Sequence, residues 1–268
     1  MTDPSPGAFI ARILGPGGRP AGAGALVTER HVVTCAHVVN VALGLDPRQQ
    51  RQPDGPVTLD FPLADGAPTL MATVARWLPP PRAGAAGEDI AGLVLDEALP
   101  AGTATARLAV DMPRPGRVVR VFGYPAGRPD GGWVEAAVRG AVGGGRIQLD
   151  SESALRVQSG YSGSPVFDDG IGRVVGIVAA APVGTAERDS YAIGADRLRL
   201  AWPEILAGRW QRAASPAGSR GRDELVVLHV SDTQFGAHHL FGGNGLTPAD
   251  RAEDTLFRRL HRDLEHLA

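Results

Sequence analysis

The first two hundred residues consist of short apolar runs, each cut off by Gly, Pro or Asp before it reaches the length of a helix. Such runs occur at 8–14, 24–28, 57–61, 70–77, 90–95 and 117–123, and again at 133–139, 146–150, 166–167, 173–180 and 190–193. Brevity, turn-forming boundaries and Val/Ile content identify them as strands. The 36 glycines and 22 prolines supply the turns that so many strands need. Gly143-Gly144-Gly145 lies between two of the runs and predicts a hairpin. Many strands with almost no helix between them predict a mainly β domain, a barrel or a sandwich. The spacing predicts a closing helix over 196–206 and a short helical turn over 35–41.

The pattern changes at 211. Residues 211–222, rich in Arg, Ala, Ser and Gly, have no apolar periodicity and are expected to be a linker. A strand over 225–230 follows, and then apolar residues at helical spacing: Ala252, Leu256, Leu260, Leu264 and Leu267. Thr247 before Pro248 provides an N-cap with proline at the first helical position. The expected organisation is a β domain over 1–210, a linker over 211–222 and a strand–loop–helix segment over 223–268.

Composition narrows the function. A formal net charge of −2 gives no electrostatic footprint for nucleic acid. No apolar run approaches the roughly 20 residues of a membrane span. Residues 1–7 have neither the basic region nor the apolar core of a secretory signal. Cys35 is the single cysteine, so no intrachain disulfide can form, and a cytoplasmic location is expected. No cofactor motif is present, and none is expected.

The chemistry lies in three separated segments. His37 ends Val32-Val33-Thr34-Cys35-Ala36-His37, Asp89 opens Asp89-Ile90-Ala91-Gly92-Leu93, and Ser162 sits in Gly160-Tyr161-Ser162-Gly163-Ser164-Pro165. A serine hydroxyl is a weak nucleophile at neutral pH and needs a base to take its proton. A histidine supplies that base, and an acid fixes its tautomer and steadies its charged form. Glycines beside the serine let the backbone turn tightly and approach a substrate. Asp60 and Asp96 are rival acids but lack the following Ile-Ala.

In order and wording, these segments resemble the motifs T-A-A-H, D-I-A-L-L-x-L and G-D-S-G-G-P of the trypsin/chymotrypsin-fold serine proteases. The resemblance runs from about residue 8 to 208 and implies a trypsin-like double β-barrel, six strands in each. It implies a serine endopeptidase with the triad His37, Asp89 and Ser162, and backbone oxyanion donors at Gly160 and Ser162. It further implies Arg156 and Asp189 near the substrate pocket, six residues before the nucleophile and on the opposite wall. An accessible Asp189 favours a basic residue before the scissile bond and a free Arg156 an acidic one. Mutual pairing leaves the pocket neutral, and solvation of either is the fourth alternative.

Two departures stand out. Tyr161 occupies the place of the acid that pairs with a freshly cut N-terminus in the digestive enzymes, so that zymogen switch cannot operate. The catalytic turn is then either already formed or shaped by a partner. Ser164 replaces the second glycine, as in bacterial relatives. The tail, Leu228-His229-Val230-Ser231-Asp232-Thr233-Gln234-Phe235-Gly236, resembles the opening of the calcineurin-like metallophosphoesterases. Asp232 matches a metal ligand of that family, Gln234 stands in place of its histidine, and the later signatures do not occur before Ala268. The resemblance therefore implies the first strand–helix piece of a larger domain, either truncated here or kept as a remnant, with Asp232 a vestigial ligand and no metal site in this chain. Fusions of this kind resemble bacterial signalling and defence architectures, which implies a protein substrate and an activating partner.

Overall fold

A computed structural model of the chain describes residues 6–64, 68–82, 88–151, 156–180 and 189–206, except for the side chains of Ala180 and Asp189. All of them belong to the first of two units, Met1–Gln211. The expected linker and the segment over 223–268, with Asp232, lie outside the described residues.

Two closed barrels of six antiparallel strands each make up the unit. The first contains β1 (Ile10–Leu14), β2 (Pro20–Leu26), β3 (His31–Thr34), β4 (Val57–Asp60), β5 (Leu70–Leu78) and β6 (Ile90–Leu95). The second contains β7 (Val118–Gly123), β8 (Gly132–Val142), β9 (Arg146–Asp150), β10 (Pro165–Asp168), β11 (Arg173–Ala180) and β12 (Asp189–Gly194). Neighbours run β1-β2-β3-β6-β5-β4 in one and β7-β8-β9-β12-β11-β10 in the other. The two circuits are the same, and each closes by pairing its first strand with its fourth. The duplication exists in hydrogen-bond order and has no counterpart in the sequence. Closure removes the free edges that would otherwise recruit other strands.

Alternation along the strands fills each interior. Val119 and Val121, Val134, Ala136 and Val138, and Ile147 and Leu149 all point into the second barrel. Leu59, Phe61, Leu70, Leu93 and Leu95 contribute to the core of the first.

Several elements differ from the sequence pattern, among them β3, which falls in none of the runs. The run at 24–28 corresponds to β2, which begins four residues earlier at Pro20 and ends at Leu26. The strand expected from residue 8 starts at Ile10, after a 3-10 turn over Pro6–Phe9. The closing helix is two pieces, α2 (Ala195–Ala201) and α3 (Pro203–Leu206). Pro203 cannot donate to the ladder and pushes Trp202 out of helical geometry, so the break falls there. The Trp202 ring lies against Gly92, where an added Cβ would come within 2.3 Å of it. Its edge meets His31 at 5.2 Å between centroids, and Arg76 Nε donates to the Ala201 carbonyl at 2.5 Å. The end of the domain is thereby clamped onto β5 and β6.

Candidate active site

Antiparallel pairing brings His37 and Asp89 together. Thr34 at the end of β3 is paired with Ala91 at the start of β6, so the chain leaving one strand lies beside the chain entering the other. Past Thr34 the backbone turns into α1 (Ala36–Ala42), with His37 in its first turn. The Ala36 amide donates to the Asp89 carbonyl at 3.3 Å, and the Asp89 amide to Pro79 at 3.2 Å. Asp89 has φ 58°, alone among the described non-glycine residues in the left-handed region. Aspartate tolerates that conformation better than most residues, at a cost of about 1–3 kcal/mol.

The strain aims the carboxylate. Asp89 Oδ1 accepts the His37 main-chain N–H at 2.9 Å, and Oδ2 lies 2.7 Å from His37 Nδ1. The Asp89 side chain is 6% exposed and that of His37 24%. An ionised carboxylate can only accept, so Nδ1 carries the ring hydrogen and Nε2 of the neutral ring is left as an acceptor.

Cys35 precedes this pair and is completely buried. Its thiol donates to the Val178 carbonyl at 3.2 Å. Burial, and secondarily the Asp89 carboxylate, push the thiol pKa well above its ordinary value. Donor atoms of Cys35, His37 and Asp89 lie within 4.8 Å of one another. A thiol that stays protonated is a poor metal ligand, and Nδ1 is committed to Asp89, so the cluster does not suit a metal ion.

Ser162 is on the second barrel, in the turn leading into β10, and its backbone is stitched to the first. The Ala23 amide of β2 donates to the Ser162 carbonyl at 2.9 Å, and the Gly163 amide to Val178 at 2.7 Å. Thr34 Oγ1 donates to the Ala23 carbonyl at 2.6 Å. Gly163 has φ 78°, and a Cβ there would lie 2.0 Å from the Ala23 oxygen. The turn bearing Ser162 thus rests on β2 and the end of β3, three residues before His37. Gly160 has φ 99°, and its carbonyl accepts the Tyr124 amide at 2.9 Å. Among the described residues, neither the Gly160 nor the Ser162 amide donates to a backbone carbonyl.

Arg156 precedes the same turn, half-buried and engaged with a partner. Asp189 opens β12, paired with Asp150 of β9. Its side chain lies outside the described residues. The role of Tyr161 is not readable from the sequence, which marks it only as a substitution for an acid. In the fold its ring is fully buried among the second-barrel core residues.

Solved structures with this fold include neuropsin, a serine protease expressed in the limbic system of mouse brain, at 16% identity and a TM-score of 0.58, covering 75% of this chain and 96% of that one. The active form of the Rv3671c protease from M. tuberculosis superposes at 22% identity and a TM-score of 0.51, with 73% and 79% covered. The serine endoprotease from Yersinia pestis does so at 14% identity and 0.55, with 75% and 64% covered. Curated proteins give no match by sequence. The trypsin-like peptidase domain matches residues 22–177, more than half of the chain, and the chain belongs to that family.

Proposed function

We propose that this chain is a serine endopeptidase that cleaves a protein substrate through an acyl-enzyme. The observation that carries the reading is the double engagement of His37 by Asp89, which leaves Nε2 as the base at the seam where Ser162 is held. Ser162 Oγ attacks the scissile carbonyl carbon while His37 Nε2 takes its proton. Asp89 steadies the resulting imidazolium. The amides of Gly160 and Ser162 receive the negative charge on the substrate oxygen. His37 then protonates the departing amine, and a water activated by the same histidine releases the acyl group as a carboxylic acid. Arg156 and Asp189 form the walls that sort the residue before the scissile bond.

No described helix is long and apolar enough to cross a membrane. On the single cysteine we assign the chain to the bacterial cytoplasm, and we assign no phosphoesterase chemistry to the tail around Asp232. The test is labelling with a fluorophosphonate, read by intact mass. One adduct on the wild type and none on Ser162→Ala or His37→Ala is expected. An equal adduct on Ser162→Ala would assign the nucleophile elsewhere.

A further inference from the structure

Tyr161 and the paired glycines behind it set how the oxyanion turn is held. Gly123 and Gly132 face each other across β7 and β8, leaving a notch in the barrel wall. The Tyr161 ring fills it: a Cβ on Gly123 would lie 2.4 Å from a ring carbon. The hydroxyl donates to the Gly132 carbonyl at 3.1 Å. Burial raises its pKa to about 12, so it remains a donor throughout the neutral range.

Main-chain bonds transmit this anchor to the turn. The Tyr161 amide donates to Gln158 at 3.1 Å, and the Ser164 amide donates to the Tyr161 carbonyl at 3.0 Å. In a planar trans peptide the C=O and N–H point in opposite directions. Fixing the Tyr161 carbonyl toward Ser164 therefore turns the Ser162 N–H the other way. The Gly160 and Ser162 carbonyls, tied to Tyr124 and Ala23, immobilise the flanking peptides.

We infer that Tyr161, seated in the Gly123–Gly132 notch and bonded to the Gly132 carbonyl, is a positioning residue that holds the Ser162 N–H in its working orientation without any newly exposed N-terminus. The inference rests on the serine-peptidase reading above and decides between the two states of the turn left open by the sequence, in favour of the preformed one. Tyr161 touches no substrate. It acts by keeping the Ser162 amide aimed, and such preorganisation makes an oxyanion donor worth about 10²–10³ in rate.

The test compares the wild-type chain, Tyr161→Phe and a wild type extended by several residues before Met1, all labelled with the same fluorophosphonate. Tyr161→Phe removes only the hydroxyl. Its maximal labelling rate is expected to fall about tenfold or more, with the half-saturating concentration and the pH profile unchanged, because His37 and Asp89 are untouched. The extended chain is expected to label at the wild-type rate. Labelling of Tyr161→Phe at the wild-type rate overturns the inference but not the peptidase reading. Labelling that appears only after the N-terminus is trimmed does the same, and does not depend on how well the variant folds. A folded wild type that forms no adduct either before or after trimming overturns both.

Discussion

Asp89 holds His37 at two points, its main-chain N–H at 2.9 Å and its ring Nδ1 at 2.7 Å. The first contact fixes the start of α1 and the second fixes the proton. Asp89→Asn can preserve most of the geometry, but it presents an amide that can donate to Nδ1 and so places the ring hydrogen on Nε2. The expected result is a loss of about 10⁴ in turnover with a nearly unchanged KM. Steady-state kinetics on a peptide substrate, beside a thermal melt, check it. A loss confined to KM would show that Asp89 serves binding.

The two barrels meet closely at Gly163. Its φ of 78° disfavours any side chain, and a Cβ would overlap the Ala23 carbonyl at 2.0 Å. Gly163→Ala must either unwind the turn or open the seam, each at a cost of about 2 kcal/mol or more. A melting temperature lower by roughly 4–8 °C is expected for a domain of this size. Activity should fall further than stability, since Ser162 is the preceding residue. A variant as stable and active as wild type would show that the seam yields easily.

Much of this arrangement can be read in the sequence. The runs at 90–95, 146–150 and 173–180 coincide with β6, β9 and β11, because Ile, Leu and Val are bounded there by turn residues. β2 is read less well for a physical reason. Pro20-Ala21-Gly22-Ala23 lacks β-branched residues, because a Cβ on Gly22 would sit 2.8 Å from both the Ser162 oxygen and the Val38 side chain. Smallness there serves the neighbouring barrel, and propensity does not reveal a neighbour. The break at Pro203 carries a visible signal, whereas the seat of Tyr161 does not, since Gly132 is 29 residues away.

Alkaline pH should destabilise the fold in a defined window. Burial raises the pKa of Cys35 well above its ordinary 9.0, that of Tyr124 well above 10.0, and that of Tyr161 from 10.0 to about 12. Each group is acidic and kept neutral in the native state, so the unfolded chain loses its proton first. Their stability contribution is fully present below the unfolded values and is lost as pH rises toward the folded ones. Unfolding free energy should therefore fall from about pH 9 upward and steeply between about 10 and 12. Urea melts across this range check the slope, which Cys35→Ala and Tyr161→Phe should each reduce. The same burial predicts that the native Cys35 thiol resists iodoacetamide at pH 8 and reacts promptly in urea.

The proposed pocket role of Arg156 and Asp189 predicts a substrate preference. Arg156 is half-buried and already engaged with a partner, which on the proposed reading makes it a poor receptor for an acidic side chain. The wild type is therefore expected to show only a weak preference at the residue before the scissile bond when profiled against a peptide library. If the proposed pocket walls are right, Arg156→Ala removes the cation and leaves Asp189 as the remaining charge, and the profile should shift toward Arg and Lys by about tenfold or more in kcat/KM. The double variant Arg156→Ala, Asp189→Ala should return to a weak preference, now apolar. An Arg156→Ala profile identical to wild type would place the pocket away from both residues. A shift that survives in the double variant would assign the recognition of basic side chains to a different acid.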